Sequence, residues 1–314
     1  MHIQQGETGS RKQASRQIGA SPFTFAYRTI AHEGHPERNE DTLLVDRHRG
    51  LAGVFDGVGG SSAGAVASQL GARIMRRVWR RILSQAANGS DLLVLNNELD
   101  VQSLLQQLFE QAQAAISDEG ERRAKEAAQE NYSYPSTTAV VAALCKQADE
   151  KSYVLGYAHV GDSRAYLLRQ GEPLQRLTVD DGYFLLKVQD DTISEEAASR
   201  IDQATDTDQL SDKELAIFER RNGITQSMGH FTMKKTSLTI HTAQTTILPG
   251  DRILLCSDGI HDNLTDAEIE SILRRGARTT VARHLVQRAL DRSREDCLRA
   301  KQDDMSAVII TCNG

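Results

Sequence analysis

Four short segments carry acidic side chains at the edge of an apolar run, next to glycine or another turn former. They are Asn39-Glu40-Asp41, Asp56-Gly57-Val58-Gly59-Gly60, Ser257-Asp258-Gly259 and Asp303-Asp304. Strand ends are stiff, and several of them can aim carboxylates at one point. Brought together out of water, such groups repel one another unless cations neutralise them. Oxygen donors with no Cys/His spacing nearby favour hard ions, Mg²⁺ or Mn²⁺, over zinc. Two such ions sharing an aspartate and a water, about 3.5–4 Å apart, would generate a hydroxide-like nucleophile at neutral pH, which suits phosphate ester hydrolysis. Glycine permits a sharp turn and close approach there, and the Gly57 carbonyl can itself be a ligand. A lone Asp-Gly is ordinary turn chemistry. The weight lies in the set, because these segments adjoin the buried-looking strands LAGVF, RILLCS and SAVIIT.

The elements that must position these groups show two periods. FTFAYRTI (23–30), TLLVD (42–46) and LAGVF (51–55) have strand length and turn-forming borders. Ala63, Val66, Ala67, Leu70, Ile74 and Val78 then recur at helical spacing, with Arg73, Arg76, Arg77 and Arg80 on the other face. A second helix carries Val101, Leu104, Leu105, Leu108, Ala112 and Ile116, with Asn88-Gly89-Ser90-Asp91 as the break. Strand texture resumes at 137–145, 152–160 and 163–169, and Gln170-Gly171 marks a hairpin turn before PLQRLTV. Further strands are expected at SLTIHTA, RILLCS and SAVIIT. Between the last two, one helix starts near Thr265 and another carries Val281, Leu285, Val286, Ala289 and Leu290. Helices arriving in pairs between runs of strands do not describe alternating βαβ units. They predict an α+β fold: two mainly antiparallel sheets packed together, with a helix pair on each outer face.

The 314 residues, 39% hydrophobic and 25% charged, suffice for a full core, and the net charge of −6 counts against nucleic acid as a partner. No run approaches the roughly 18 apolar residues of a spanning helix, and MHIQQGETGSRKQASRQ lacks the apolar core of a signal peptide. The expectation is a cytoplasmic protein with no membrane partner. Residues 1–22 read as a flexible leader, and 23–314 as the folded domain. Cys145, Cys256, Cys297 and Cys312 are widely spaced and read as reduced packing residues.

The order of segments resembles the metal-dependent protein phosphatases of type 2C, the PPM family, over about residues 25 to 312. The pieces that carry the resemblance are NED (39–41), VFDGVGG (54–60), STTAVVAAL (136–144), AHVGDSRAYLLRQG (158–171), LTVDD (177–181), ITQSMG (224–229), LLCSDGIHDNL (254–264) and QDDMSAVII (302–310). The resemblance implies an αββα four-layer sandwich with the metals at one end, between the sheets. It also implies hydrolysis of phosphoserine and phosphothreonine in proteins, substrates of the kind a Ser/Thr kinase produces, with no phosphoenzyme. Carried over by motif, Asp56 bridges two Mn²⁺ or Mg²⁺ ions, Glu40 and the Gly57 carbonyl bind one, and Asp258 with Asp303 binds the other. Asp41 supports the metal waters. In the bacterial branch a third ion is often held by the aspartate of GDSR, here Asp162, together with Asp258.

Some positions depart from the family pattern. Pro36 stands where many members have a phosphate-gripping arginine; Arg38 is the substitute, or else a solvated loop arginine. Val58 replaces the histidine of DGHGG, leaving His35 as a candidate proton donor or a surface histidine. The usual LT-x-D-H ends here in Asp180-Asp181. Arg76-Arg77-Val78-Trp79-Arg80-Arg81 is assigned to a solvated helix face, and Ser136, Thr137 and Thr138 to structural roles. Residues 183–223 read as a variable flap, densely acidic, with short helices after Ser194 and Ser211 and a stop at Gly223. As a substrate gate it would favour basic phosphopeptides; as a surface excursion it would do nothing.

Overall fold

A computed structural model of the chain describes residues 21–58, 62–86, 92–96, 99–127, 132–147, 152–229 and 238–313. Nearly all of the leader, Gly59-Gly60 and the break at 88–91 lie outside the described residues. The first half contains β1 (Phe23–Ile30), β2 (Thr42–Asp46), β3 (Leu51–Phe55), β4 (Gly57–Val58), α1 (Ser62–Ala86), β5 (Leu93–Leu95), α2 (Val101–Ala127), β6 (Ser136–Thr137) and β7 (Ala139–Gln147). Then come β8 (Tyr153–Val160), β9 (Arg164–Leu168), β10 (Gln175–Arg176), α3 (Tyr183–Gln189), α4 (Glu195–Asp202), α5 (Asp212–Phe218) and β11 (Met228–Gly229). The chain closes with β12 (His241–Ile247), β13 (Arg252–Cys256), α6 (Asp258–His261), α7 (Asp266–Arg275), α8 (Val281–Ser293) and β14 (Met305–Cys312).

The four layers follow from side-chain alternation along the strands. In β3 and β7, Leu51, Phe55, Ala139, Val141, Ala143 and Cys145 face α1 and α2, joining Met75, Trp79, Leu105 and Phe109. Their neighbours Ala52, Val54, Val140, Ala142 and Leu144 point the other way, against Ile253, Leu255, Val308 and Ile310 of the second sheet. Leu254, Cys256, Ala307 and Ile309 then meet α7 and α8 through Ile269, Leu273, Leu285 and Val286. One large sheet runs β1-β14-β13-β9-β10 and the other β12-β8-β7-β3-β2, both antiparallel, with β5 adding a parallel pairing to β7; a small third sheet, also antiparallel, runs β11-β6-β4. The expected four-layer α+β sandwich is the observed one.

The differences have physical reasons. Of SLTIHTA, Ser237 lies outside the described residues and residues 238–240 are not strand; β12 starts at His241 and continues to Ile247. It is a half-exposed edge strand of Thr and Gln, so apolar texture marked it poorly. The flap helices start as expected, with Ser194 and Ser211 accepting N-cap bonds from Ala197 and Glu214. However, α5 ends at Phe218, well before Gly223. The flap is also more than a solvated excursion, because Ile201, Ala204 and Phe218 bury a small core of their own with Phe184 and Leu298. Trp79 belongs to the main core rather than to the basic face of α1, and its Nε1 donates to the Arg49 carbonyl at 2.8 Å.

Buried Arg164 ties the flap to the sandwich: its Nη2 lies 2.7 Å from Asp180 and 3.1 Å from Asp202 of α4. Burial alone would raise both carboxyls, but Arg164 and Arg176 hold them below their ordinary range. Breaking such a buried cluster from one side strands like charges together. Arg164→Met is therefore expected to lose about 3–5 kcal/mol of unfolding free energy, read as a lower urea midpoint with an unchanged m-value.

Candidate metal centre

Antiparallel register brings the chemistry to one end of the sandwich. Thr42 pairs with Phe55, so the start of β2 and the end of β3 place Glu40-Asp41 beside Asp56. Cys256 pairs with Ala307 and with Arg164, which sets Asp258, Asp303-Asp304 and Asp162 at the same end of the other sheet. The result is a cavity of about 290 Å³ whose walls include Glu40, Asp56, Gly57, Asp162, Asp258 and Asp303. All six residues expected to hold metal are therefore brought together. His35 is on the wall as well; Arg38 is not among the lining residues.

Short bonds within and between the two sheets fix this end. Asp41 Oδ2 accepts from Ser257 Oγ at 2.8 Å, and Ser257 Oγ in turn accepts from the Ser306 amide at 3.0 Å. Asp304 spends both oxygens on backbone, accepting from the His32 and Glu40 amides, each at 2.6 Å. The Asp56 carbonyl accepts from Thr138 N at 2.8 Å and Thr137 Oγ1 at 2.7 Å. Gly57 must be glycine, because a Cβ there would sit 2.5 Å from the Gly64 carbonyl carbon and 2.8 Å from the Glu40 carbonyl oxygen. Gly259 is equally constrained by the Asp304 carbonyl oxygen, 2.1 Å from a Cβ at that position.

The electrostatics are those of anions held together against their preference. Burial, reinforced by repulsion from Asp258, Asp41, Asp303 and Asp162, lifts Asp56 well above the usual carboxylate range. Burial raises Asp41, Asp162, Asp258 and Glu40 too, and in each case neighbouring carboxylates add to it. Three buried oxygens, Glu40 Oε1, Asp41 Oδ1 and Asp258 Oδ1, have no hydrogen-bond donor. Unpartnered carboxylate oxygens around a polar cavity are a donor set fitted to hard divalent ions. Both paired aspartates line the cavity, but Asp304 spends both oxygens on amides, whereas Asp303 gives Oδ1 to the Asp304 amide at 2.8 Å and keeps Oδ2, now paired with Lys301, for an ion.

Lys301, which the sequence reading passed over, is the principal cation in the cavity wall. Its Nζ lies 2.5 Å from Asp258 Oδ2, 2.8 Å from Asp262 Oδ2 and 3.0 Å from Asp303 Oδ2. Burial would lower its pKa, but these three carboxylates hold it well above the ordinary lysine value. Asn263 fixes the backbone here, accepting from Lys301 N at 3.0 Å while its amide donates to the Gly259 and Lys301 carbonyls. The only sequence signal was a lysine two residues before the Asp303-Asp304 pair. Arg38 Nε stands 3.5 Å from Glu40 Oε1, so its guanidinium serves Glu40 from outside. His35 Nδ1 contacts the Arg38 carbonyl at 2.9 Å, and since a carbonyl only accepts, that nitrogen carries a proton.

Comparison with known proteins bears on the family and the fold. The family described as protein phosphatase 2C matches residues 30–293. The Mycobacterium tuberculosis serine/threonine protein phosphatase PstP is 30% identical over 252 residues, 80% of this chain but 39% of that longer protein. The serine/threonine phosphatase stp of Listeria welshimeri is 26% identical over 76% of this chain and 78% of its own. A solved PstP catalytic domain in complex with two manganese ions superposes with a TM-score of 0.62 at 24% identity, covering 93% of this chain and 99% of that one.

Two substitutions that leave every candidate ligand in place should move metal affinity in opposite directions. Asp304→Ala frees the His32 and Glu40 amides and should weaken Mn²⁺ binding about 10- to 100-fold. Lys301→Met removes a competing cation and should tighten it about tenfold. Isothermal titration of both variants with Mn²⁺ checks the pair.

Proposed function

The chain belongs to the protein phosphatase 2C family and is a metal-dependent serine/threonine protein phosphatase, and we propose that Glu40, Asp56, Gly57, Asp258 and Asp303 hold its two Mn²⁺ or Mg²⁺ ions. Asp162 with Asp258 is the place for a third. The observation that carries this assignment is the convergence of five carboxylates, some with unpartnered oxygens, on one cavity. When bound, the ions supply Lewis acidity, bringing the pKa of water toward neutrality and drawing charge from the ester phosphate.

The chain's own residues set the geometry of an in-line attack on phosphoserine or phosphothreonine. Asp56 is held through its carbonyl by Thr137 and Thr138, so its carboxylate is aimed by backbone rather than by a flexible stem. Asp41, anchored through Ser257, keeps Oδ1 as the acceptor that orients the attacking water. Nearby hydroxyls are committed elsewhere: Ser136 to Ser227, Thr137 to the Asp56 carbonyl and Thr138 to Ser163. A serine or threonine nucleophile therefore has no support, and water attacks directly. Arg38 steadies Glu40 and meets the substrate phosphate at the rim. His35, on the wall, delivers the leaving-group proton from Nε2 when doubly protonated.

The substrates are phosphorylated proteins, and we assign them to a cytoplasmic serine/threonine kinase, with neither nucleic acid nor membrane as a partner. The net charge of −6 agrees with this, and among the described residues no helix is long and apolar enough to cross a membrane. Residues 183–223 form the flap of a domain spanning 23–314. Asn222 of the flap and Ile224 just beyond it line the metal cavity. Its exposed acids include Glu195, Glu196, Asp206 and Asp208, which would favour phosphopeptides with basic flanks.

Asp56→Asn and Asp258→Asn should each abolish Mn²⁺-dependent phosphate release from a phosphothreonine peptide while circular dichroism stays native. Full activity in either folded variant sinks the ligand assignment. The flap is tested by charge rather than deletion, because removing Asp202 would strand Arg164. Reversing Glu195, Glu196, Asp206 and Asp208 to lysine should leave aryl phosphate hydrolysis within about twofold. The same change should reverse the preference between basic and acidic phosphopeptides and its salt dependence.

A further inference from the structure

A second cluster of metal-ligating side chains lies outside the carboxylate cavity. His159 of β8 and His241 of β12 are direct cross-strand partners in the antiparallel pair. Their rings stack with centroids 4.7 Å apart and 19° between planes. Both Nε2 atoms face the same loop: that of His159 contacts the Val179 carbonyl at 2.8 Å, and that of His241 contacts Asp181 Oδ1 at 2.9 Å. One donor atom from each of His159, Asp181 and His241 lies within 4.8 Å of the others, a grouping not found elsewhere among the described residues. Asp181 stands where the family resemblance expects histidine, so this grouping belongs to the present chain's departures.

We propose that His159, His241 and Asp181 form a binding site for one borderline divalent transition ion, of which zinc is the first choice, separate from the catalytic carboxylates. The donor set decides the ion. Two imidazoles and one carboxylate suit Zn²⁺, with water completing four ligands, whereas Mg²⁺ and Mn²⁺ prefer all-oxygen surroundings. Directly opposed residues on antiparallel strands place Cβ atoms about 4.5–5.5 Å apart, close enough for two imidazoles to share an ion. Burial keeps His159 below its ordinary pKa and hence neutral at pH 7, the form that ligates. His241, with its side chain 40% exposed, opens the site to solvent. Binding exchanges the two Nε2–H···O bonds for two nitrogen–metal bonds: in a neutral imidazole the Nε2 proton passes through solvent to Nδ1, and a doubly protonated ring releases its Nε2 proton to solvent.

The position gives the ion a consequence. Asp181 Oδ2 accepts from Gly161 N at 2.8 Å, and Asp181 N donates to the Gly161 carbonyl at 3.0 Å, next to Asp162 on the cavity wall. The Asp181 carbonyl also accepts from Thr225 N at 2.8 Å, and Gly182 bridges Ile224, where the two ends of the flap meet. An ion on Asp181 would therefore clamp the flap root and the Gly161-Asp162 turn together.

The test loads the full chain with Zn²⁺ in the presence of saturating Mg²⁺, which holds the carboxylate cavity but competes poorly for nitrogen. Bound zinc is then measured by equilibrium dialysis, and melting temperature is followed in parallel. The wild type should retain one equivalent and melt higher with zinc. His241→Ala, at a half-exposed edge position, should lose that equivalent, with Kd raised at least 100-fold, and should show no zinc-dependent melting shift. His159→Gln should behave alike. If either variant does not fold, the visible absorption of Co²⁺ bound to the wild type decides the matter: intense tetrahedral bands support the site, and weak octahedral bands overturn it. Zinc retained unchanged by folded His241→Ala, or wholly displaced by Mg²⁺, also overturns it. Asp258→Asn should keep the zinc, so failure of the catalytic-site reading would not be confused with failure here.

Discussion

Carboxylates packed where their own repulsion and lost hydration push them apart are the constraint around which this molecule is organised. Glu40, Asp41, Asp56, Asp162 and Asp258 are all raised above their ordinary pKa, burial coming first among the causes. A fold can keep such groups together only if their backbones are fixed independently and a cation stands ready. Both conditions are met. Sheet register fixes the strand ends, and Asp304, Ser257 and the Thr137-Thr138 pair bond the turns that carry the proposed ligands. Lys301 supplies a resident positive charge among Asp258, Asp262 and Asp303.

That arrangement separates the parts of the chain that position from the parts that react. The inter-sheet core of Val54, Val140, Leu255 and Val308 carries no chemistry, yet it sets the spacing between the Asp56 turn and the Asp258 turn. The flap is joined to this frame through Arg164 and through Arg299, whose guanidinium donates to the Asp202 and His261 carbonyls. Arg299 thus ties α4 to α6, the helix that begins at Asp258. Arg221, at the end of the flap, adds a contact to Asp262 at 3.6 Å, the same carboxylate that Lys301 shares.

Sequence carried far where a residue's role is local. The strand LAGVF was legible to the residue and RILLCS to within one, because their apolar residues are buried and turn formers bound them. The helix expected near Thr265 starts there as α7, and the structure shows Thr265 and Glu268 in reciprocal capping bonds. The acidic turns were legible because Asp-Gly after an apolar run is a local signature. Lys301 was not, since its meaning lies in contacts with Asp258 and Asp262, which reach it through tertiary packing. Nor was the side-chain direction of Arg38, which the sequence left open between a phosphate-gripping substitute and a solvated loop arginine, and whose Nε stands 3.5 Å from Glu40 Oε1. The three residues Leu93–Leu95 that make β5 were too short to carry a period. The His159–His241 pair depends on cross-strand register, and β12 was read several residues too early to reveal it.

The central claim is that the carboxylate cavity is built for divalent cations. Crystals grown with Mn²⁺ and measured on both sides of the manganese absorption edge test it most directly. The account predicts anomalous peaks inside the cavity bounded by Glu40, Asp56, Asp258 and Asp303, with Lys301 Nζ withdrawn from Asp258 toward Asp262. An empty cavity at saturating Mn²⁺, with Lys301 still bonded to Asp258 and Asp303, would contradict it.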